Sequence, residues 1–115
     1  MRRAWVALVP FVALIALARP ASALVVERIG PTVRRHAGDV RACYLRALSL
    51  RPELRGRLVV RITVEGSGVV SAAHIESDSI GDPSLQQCVL GAVRGWQFPT
   101  ADEAETVTLP FDLAN

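Results

Sequence analysis

Residues 57–77 read RLVVRITVEGSGVVSAAHIES, and the alternation in this run decides the fold. Leu58, Val60, Ile62 and Val64 fall on one side of an extended chain, and Val59, Arg61, Thr63 and Glu65 on the other. That two-residue period is the mark of a half-buried strand. Gly66-Ser67-Gly68 reads as a turn, because its two glycines permit positive φ. Residues 69–77 read as a second strand whose phase slips. Val70, Ala73 and Ile75 are its apolar set, and the step from 70 to 73 is odd. One extra residue near Ser71-Ala72 restores the phase, so the sequence predicts a β-hairpin with a bulge there.

The flanking segments carry helical spacing. Upstream, Val33, Ala37, Val40, Cys43, Tyr44, Ala47 and Leu48 form one apolar stripe, which predicts a helix over 31–50. Pro31 suits its first turn, with Gly30 or Thr32 as the cap, and Pro52 ends it. Residues 24–30 are a short apolar lead-in with no assigned state. Downstream, Asp82 as N-cap and Pro83 at the first position open a second helix. Its stripe is Leu85, Cys88, Val89, Ala92, Val93 and Trp96, and Phe98-Pro99 closes it. Residues 105–113 alternate again, with Val107, Leu109, Phe111 and Leu113 on one face. Pro110 lacks the backbone donor that a central strand needs, so this third strand belongs at a sheet edge. The order is α-β-β-α-β. Pairing the third strand with the first gives an α+β fold: a three-stranded antiparallel sheet of order 2-1-3, with two helices on one face.

Whole-chain composition misleads until the N-terminus is considered. The chain has 115 residues, is half apolar and carries a formal charge of +2, with 13 Arg and no Lys. Residues 1–23 read as a cleavable secretory signal: Arg2 and Arg3, an apolar run over 4–18, then Ala21-Ser22-Ala23 as the processing site. The remaining residues 24–115 read as a single domain, periplasmic or secreted. The alternative is an inner-membrane anchor formed by an uncleaved 4–18 segment, although a spanning helix needs about 20 apolar residues. Beyond Ala23 the chain holds ten Arg against eleven acids. Those charges are segregated: residues 28–61 carry a net +7 and residues 62–115 a net −7. The favoured reading is that the two halves neutralise each other across the fold. The second is a basic helix face, formed by Arg34, Arg35, Arg41 and Arg46, for an anionic envelope surface. In an exported chain, the pair Cys43 and Cys88, each on the buried stripe of its helix, reads as a disulfide.

A family resemblance joins these pieces. Its residues are Cys43-Tyr44, Leu48, Pro52, Leu54, Gly56, the VVRITV strand, Gly68-Val69-Val70, Cys88, Trp96-Gln97-Phe98-Pro99 and Leu109-Pro110-Phe111. Together they resemble the AgmX/PglI C-terminal domain family, itself similar to the TonB C-terminal domain, over about residues 28–114. The resemblance implies the same α-β-β-α-β fold, the pairing of the cysteines, and a role in envelope machinery such as gliding motility or outer-membrane transport. It also implies partner binding by strand addition at the third strand, through Thr106, Val107, Thr108, Leu109, Phe111 and Asp112, with dimerisation through the same edge as a further expectation. A TonB-type transducer has an anchor and a long extended linker. No Pro-rich linker precedes residue 28 here, so the expectation is a stand-alone binding module.

Catalytic and metal readings are weaker. His36, His74, Cys43 and Cys88 make a ligand set by count, but without the short ligand spacings of structural zinc sites. Ser71, Ser77, Ser79, Asp78 and Asp82 surround His74 in sequence, yet they read as turn and cap residues, and no G-x-S-x-G occurs. No C-x-x-C suggests thiol exchange. Export and the scarcity of aromatics near the arginines argue against nucleic acid. Tyr44, Trp96 and Phe98 read as core, with polar atoms on Tyr44 and Trp96 that need partners. The expectation is a non-enzymatic protein without cofactor or metal.

Overall fold

The central strand is the one that carries the strict alternation. A computed structural model describes residues 21–115. In it β1 (Gly56–Val64) pairs antiparallel with β2 (Val70–Asp78) on one side and β3 (Glu105–Leu113) on the other. The sheet order is β2-β1-β3, as the hairpin and Pro110 predict. Leu58, Val60, Ile62 and Val64 of β1 are fully buried under the helices. The opposite face carries polar rows, among them His74, Arg61 and Thr108 side by side.

The bulge forms where the phase slips. Thr63 faces Ala72 and Val64 faces Val70, which leaves Ser71 as the extra residue. A second irregularity leaves Glu76 unmatched, since Val59 faces Ser77 and Val60 faces Ile75. The strand has no apolar residue beyond Ile75 whose phase could have announced it. At the hairpin turn, Gly68 adopts φ +90°. Its carbonyl accepts the Phe98 N–H at 2.9 Å, and a Cβ at this position would overlap the Phe98 carbonyl oxygen. The turn therefore requires glycine both for its backbone angle and for the close approach of residues 97–98.

The first helical region differs from the single helix expected over 31–50. It comprises α1 (Ala21–Arg35) and α2 (Ala37–Leu50), separated at His36. Pro31 lies inside α1 rather than at its start, and Thr32 is fully buried rather than a cap. An interior Pro costs a helix about 3 kcal/mol, so tertiary contacts must hold α1 in place. Ile29 is buried in the core. Arg28 donates to the Pro99 carbonyl (3.0 Å), the Glu65 carbonyl (2.8 Å) and Glu105 Oε1 (2.7 Å). At the break, the His36 ring stacks on Trp96 with centroids 5.3 Å apart. Asp39 Oδ2 accepts the Trp96 indole N–H at 3.0 Å and lies 3.2 Å from His36 Nδ1. The indole thus finds its partner, and the Tyr44 hydroxyl finds its own in the Leu54 carbonyl at 2.5 Å.

The second helix follows its sequence signals. In α3 (Pro83–Arg94), Pro83 opens the first turn and Asp82 Oδ1 accepts the Leu85 N–H at 2.9 Å. A disulfide joins Cys43 on α2 to Cys88 on α3, with Cα atoms 5.7 Å apart. It closes a loop of 45 residues, for which the chain-entropy model gives about 4 kcal/mol. The signal or anchor expected within residues 1–23 lies outside the described residues, except that Ala21–Ala23 form the first turn of α1. No helix among the described residues is long and apolar enough to cross a membrane.

Candidate functional site

A three-stranded sheet has two edges, and here they differ. β2 carries both register shifts, and Arg94 of α3 reaches across to donate to the Ala73 carbonyl at 3.2 Å. Bulges and covering side chains blunt an edge against further pairing. β3 runs in unbroken register against β1 from Gly56–Leu113 to Val64–Glu105, and among the described residues no strand pairs with its other side.

The hydrogen-bond directions along β3 follow from fixed points in the hairpin. The Glu65 N–H donates to the Val69 carbonyl at 2.8 Å, and the Arg57 carbonyl accepts the Ser79 N–H at 3.0 Å. Odd-numbered β1 residues therefore direct their backbone groups toward β2. The Ala73 carbonyl, opposite Ile62, points away from β1 to meet Arg94, which is consistent with the same parity. Even-numbered β1 residues then bond to β3, and their partners there are Val107, Leu109, Phe111 and the other odd positions. Thr106, Thr108, Pro110 and Asp112 turn their backbone groups to the free edge. Pro110 sits where its missing N–H leaves no gap in the ladder.

Side chains on the two faces of β3 have different roles. Thr106 shares a hydrogen bond with Thr63 at 3.1 Å. Asp112 holds Arg57 in a two-pronged pair at 2.7 and 3.1 Å. That hydrogen bond raises the Arg57 pKa above its ordinary value, with the carboxylate charge adding to the effect. Thr108 is exposed. On the helix side two shallow depressions border the strand. One, of about 300 Å³, lies between Val40, Arg41 and Tyr44 of α2 and Pro110, Phe111 and Leu113. The other, of about 280 Å³, lies between Ile29, Val33 and Arg34 of α1 and Val107 and Leu109. The sequence reading found the edge but not its α1 wall. The Ile29–Val33 spacing, one turn of helix, was the available signal, and Pro31 between them obscured it.

The charge segregation is only partly resolved within the fold. Four ion pairs each join an arginine of the basic half to an acid of the other: Arg28–Glu105 (2.7 Å), Arg51–Asp82 (3.4 Å), Arg57–Asp112 (2.7 Å) and Arg61–Glu76 (2.6 Å). The arginines grouped as a basic face do not stay together. Arg46 turns toward α3, with Nη1 3.4 Å from Cys88 Sγ. Arg35 reaches back to Thr32 Oγ1 at 3.5 Å. Arg34 and Arg41 stand at the two depressions beside β3, with no acidic partner among the described residues. The residues weighed as metal ligands are also dispersed. Cys43 and Cys88 are joined to each other, His36 lies on Trp96, and His74 is exposed on the open sheet face.

Comparison with known proteins returns little. No family model and no curated protein matches the chain. Among solved structures, one described as "The structure of HasB CTD" aligns at 26% identity over 67% of each chain, with a TM-score of 0.40.

Proposed function

We propose that this chain is a non-enzymatic protein-binding module that receives an extended partner segment along β3. The carrying observation is the β3 edge, in unbroken register with β1 and unpaired on its other side among the described residues, with the backbone groups of Thr106, Thr108 and Asp112 on that side and two partly apolar depressions alongside. An added strand would bond to the edge while its alternate side chains entered the depressions, which is β-augmentation. The motif resemblance to AgmX/PglI and TonB C-terminal domains supports this reading, and with it a place in envelope machinery such as motility or outer-membrane transport. The sequence signals for export support a periplasmic or secreted location.

Thr108→Pro is the test. It removes one free-edge donor and leaves the β1 ladder intact, by the same parity that accommodates Pro110. The wild-type chain and this variant, of matched circular dichroism, are used to capture proteins from envelope extracts, and the captured sets are compared by quantitative mass spectrometry. The expected result is a set of proteins retained by the wild type and lost with Thr108→Pro. Identical sets would refute pairing at β3. Self-association through the same edge is checked in parallel by sedimentation of the two proteins alone.

A further inference from the structure

The β3 reading leaves the chemistry of the partner open, and the charges beside the edge bear on it. Four arginines of the basic half are matched by acids within the fold. Arg34 and Arg41 are not, and each lines one of the two depressions that border β3. Leu45, one turn beyond Arg41 on the same side of α2, keeps 49% of its surface exposed. The helix wall of the groove thus presents cationic groups next to uncovered apolar surface.

Resting on the β3 reading, we infer that the groove selects an extended peptide with apolar side chains and carboxylates on its helix-facing side, the carboxylates meeting Arg34 and Arg41. The two depressions lie beside Val107–Leu109 and Phe111–Leu113. That is a step of four residues, about 13 Å along a strand, so the acids are expected at i and i+4 of the partner. A lipid surface is the less favoured occupant. A planar anionic surface would engage a shared basic face, whereas Arg46 turns to α3 and Arg41 to β3. The apolar depressions and free edge donors also have no role in headgroup binding.

The experiment pans a randomised twelve-residue phage-displayed peptide library on the full chain, on Thr108→Pro and on the double variant Arg34→Gln/Arg41→Gln. Recovered peptides are then measured by fluorescence anisotropy. The expected result is wild-type selection of Asp- or Glu-containing apolar peptides at i, i+4 spacing. The double variant should bind them about tenfold more weakly, from two exposed charge pairs of roughly 0.7 kcal/mol each. Affinity should also fall with added salt. Acid-free peptides that still depend on Thr108 would overturn the charge inference and leave the β3 reading standing. Peptides indifferent to Thr108→Pro would overturn the β3 reading, and recovery of no peptide would overturn both. Vesicles of phosphatidylglycerol and phosphatidylcholine form the last arm. Binding to them that is lost in the double variant, without acidic peptide selection, would assign the arginines to lipid and overturn the inference.

Discussion

Proline substitution at two adjacent β3 positions distinguishes the strand's two sides. The backbone of Leu109 faces Val60, the two being opposite in the register, and Val60 is fully buried. Leu109→Pro removes the N–H that the Val60 carbonyl accepts. A buried acceptor left without a donor costs about 1–3 kcal/mol. Leu109 is itself 8% exposed, and shortening its side chain adds about 1–2 kcal/mol of lost apolar burial. The expected loss is therefore roughly 2–5 kcal/mol. Thr108→Pro should lie within about 1 kcal/mol of the wild type, because its N–H points away from β1 and the preceding Val107 is already extended. Urea unfolding of the full-length chain, followed by tryptophan fluorescence and by circular dichroism, measures both. For a domain of this size each kcal/mol shifts the thermal midpoint by about 4–8 °C, so a melting scan resolves the two as well. Equal destabilisation by the two prolines would refute the assignment of which backbone groups face the free edge. The β3 docking site would lose its basis with it.

Three further outcomes follow from the packing. Thiol titration of the unreduced, denatured protein should find no free cysteine, and Cys43→Ala/Cys88→Ala should lose about 4 kcal/mol in urea unfolding. Tyr44→Phe removes the donor to the buried Leu54 carbonyl and should cost about 1–2 kcal/mol, read as a lower urea midpoint with unchanged m-value. Arg28→Met leaves Glu105 and two backbone carbonyls without their guanidinium partner, and should cost about 3 kcal/mol. Hydrogen exchange in that variant should rise first in α1, which the guanidinium ties to the hairpin and to β3.

The strands were legible because each carries its own period. Four alternating apolar residues in β1 and the odd step from Val70 to Ala73 announce both the strand and its bulge. Pro110 announces the edge, since only an edge tolerates a missing donor. The start of α3 was equally local, because Asp82 and Pro83 suit a first turn whatever surrounds them. The α1 boundary was not legible. Pro31 is a strong local signal for a helix start, and it is overridden by Arg28 and Ile29, whose partners lie elsewhere in the chain. The break at His36 has the same origin: its ring rests on Trp96, sixty residues away.

The candidate site divides along the same line. By itself the sequence determined the alternation, the Asp82 cap and the edge position of β3, because each is a property of neighbouring residues or of a single missing N–H, and two cysteines on two buried stripes pointed to the disulfide. Only the tertiary structure decided which arginines find acids. Ion pairing depends on which surfaces meet, and composition records only that the halves carry opposite charge. It also decided that β2 is blunted while β3 is open, through the reach of Arg94 and a second bulge. Finally, it carried α1 across the helix side of β3, making one wall of the groove from Ile29, in a stretch with no assigned state when read in order, together with Val33 and Arg34.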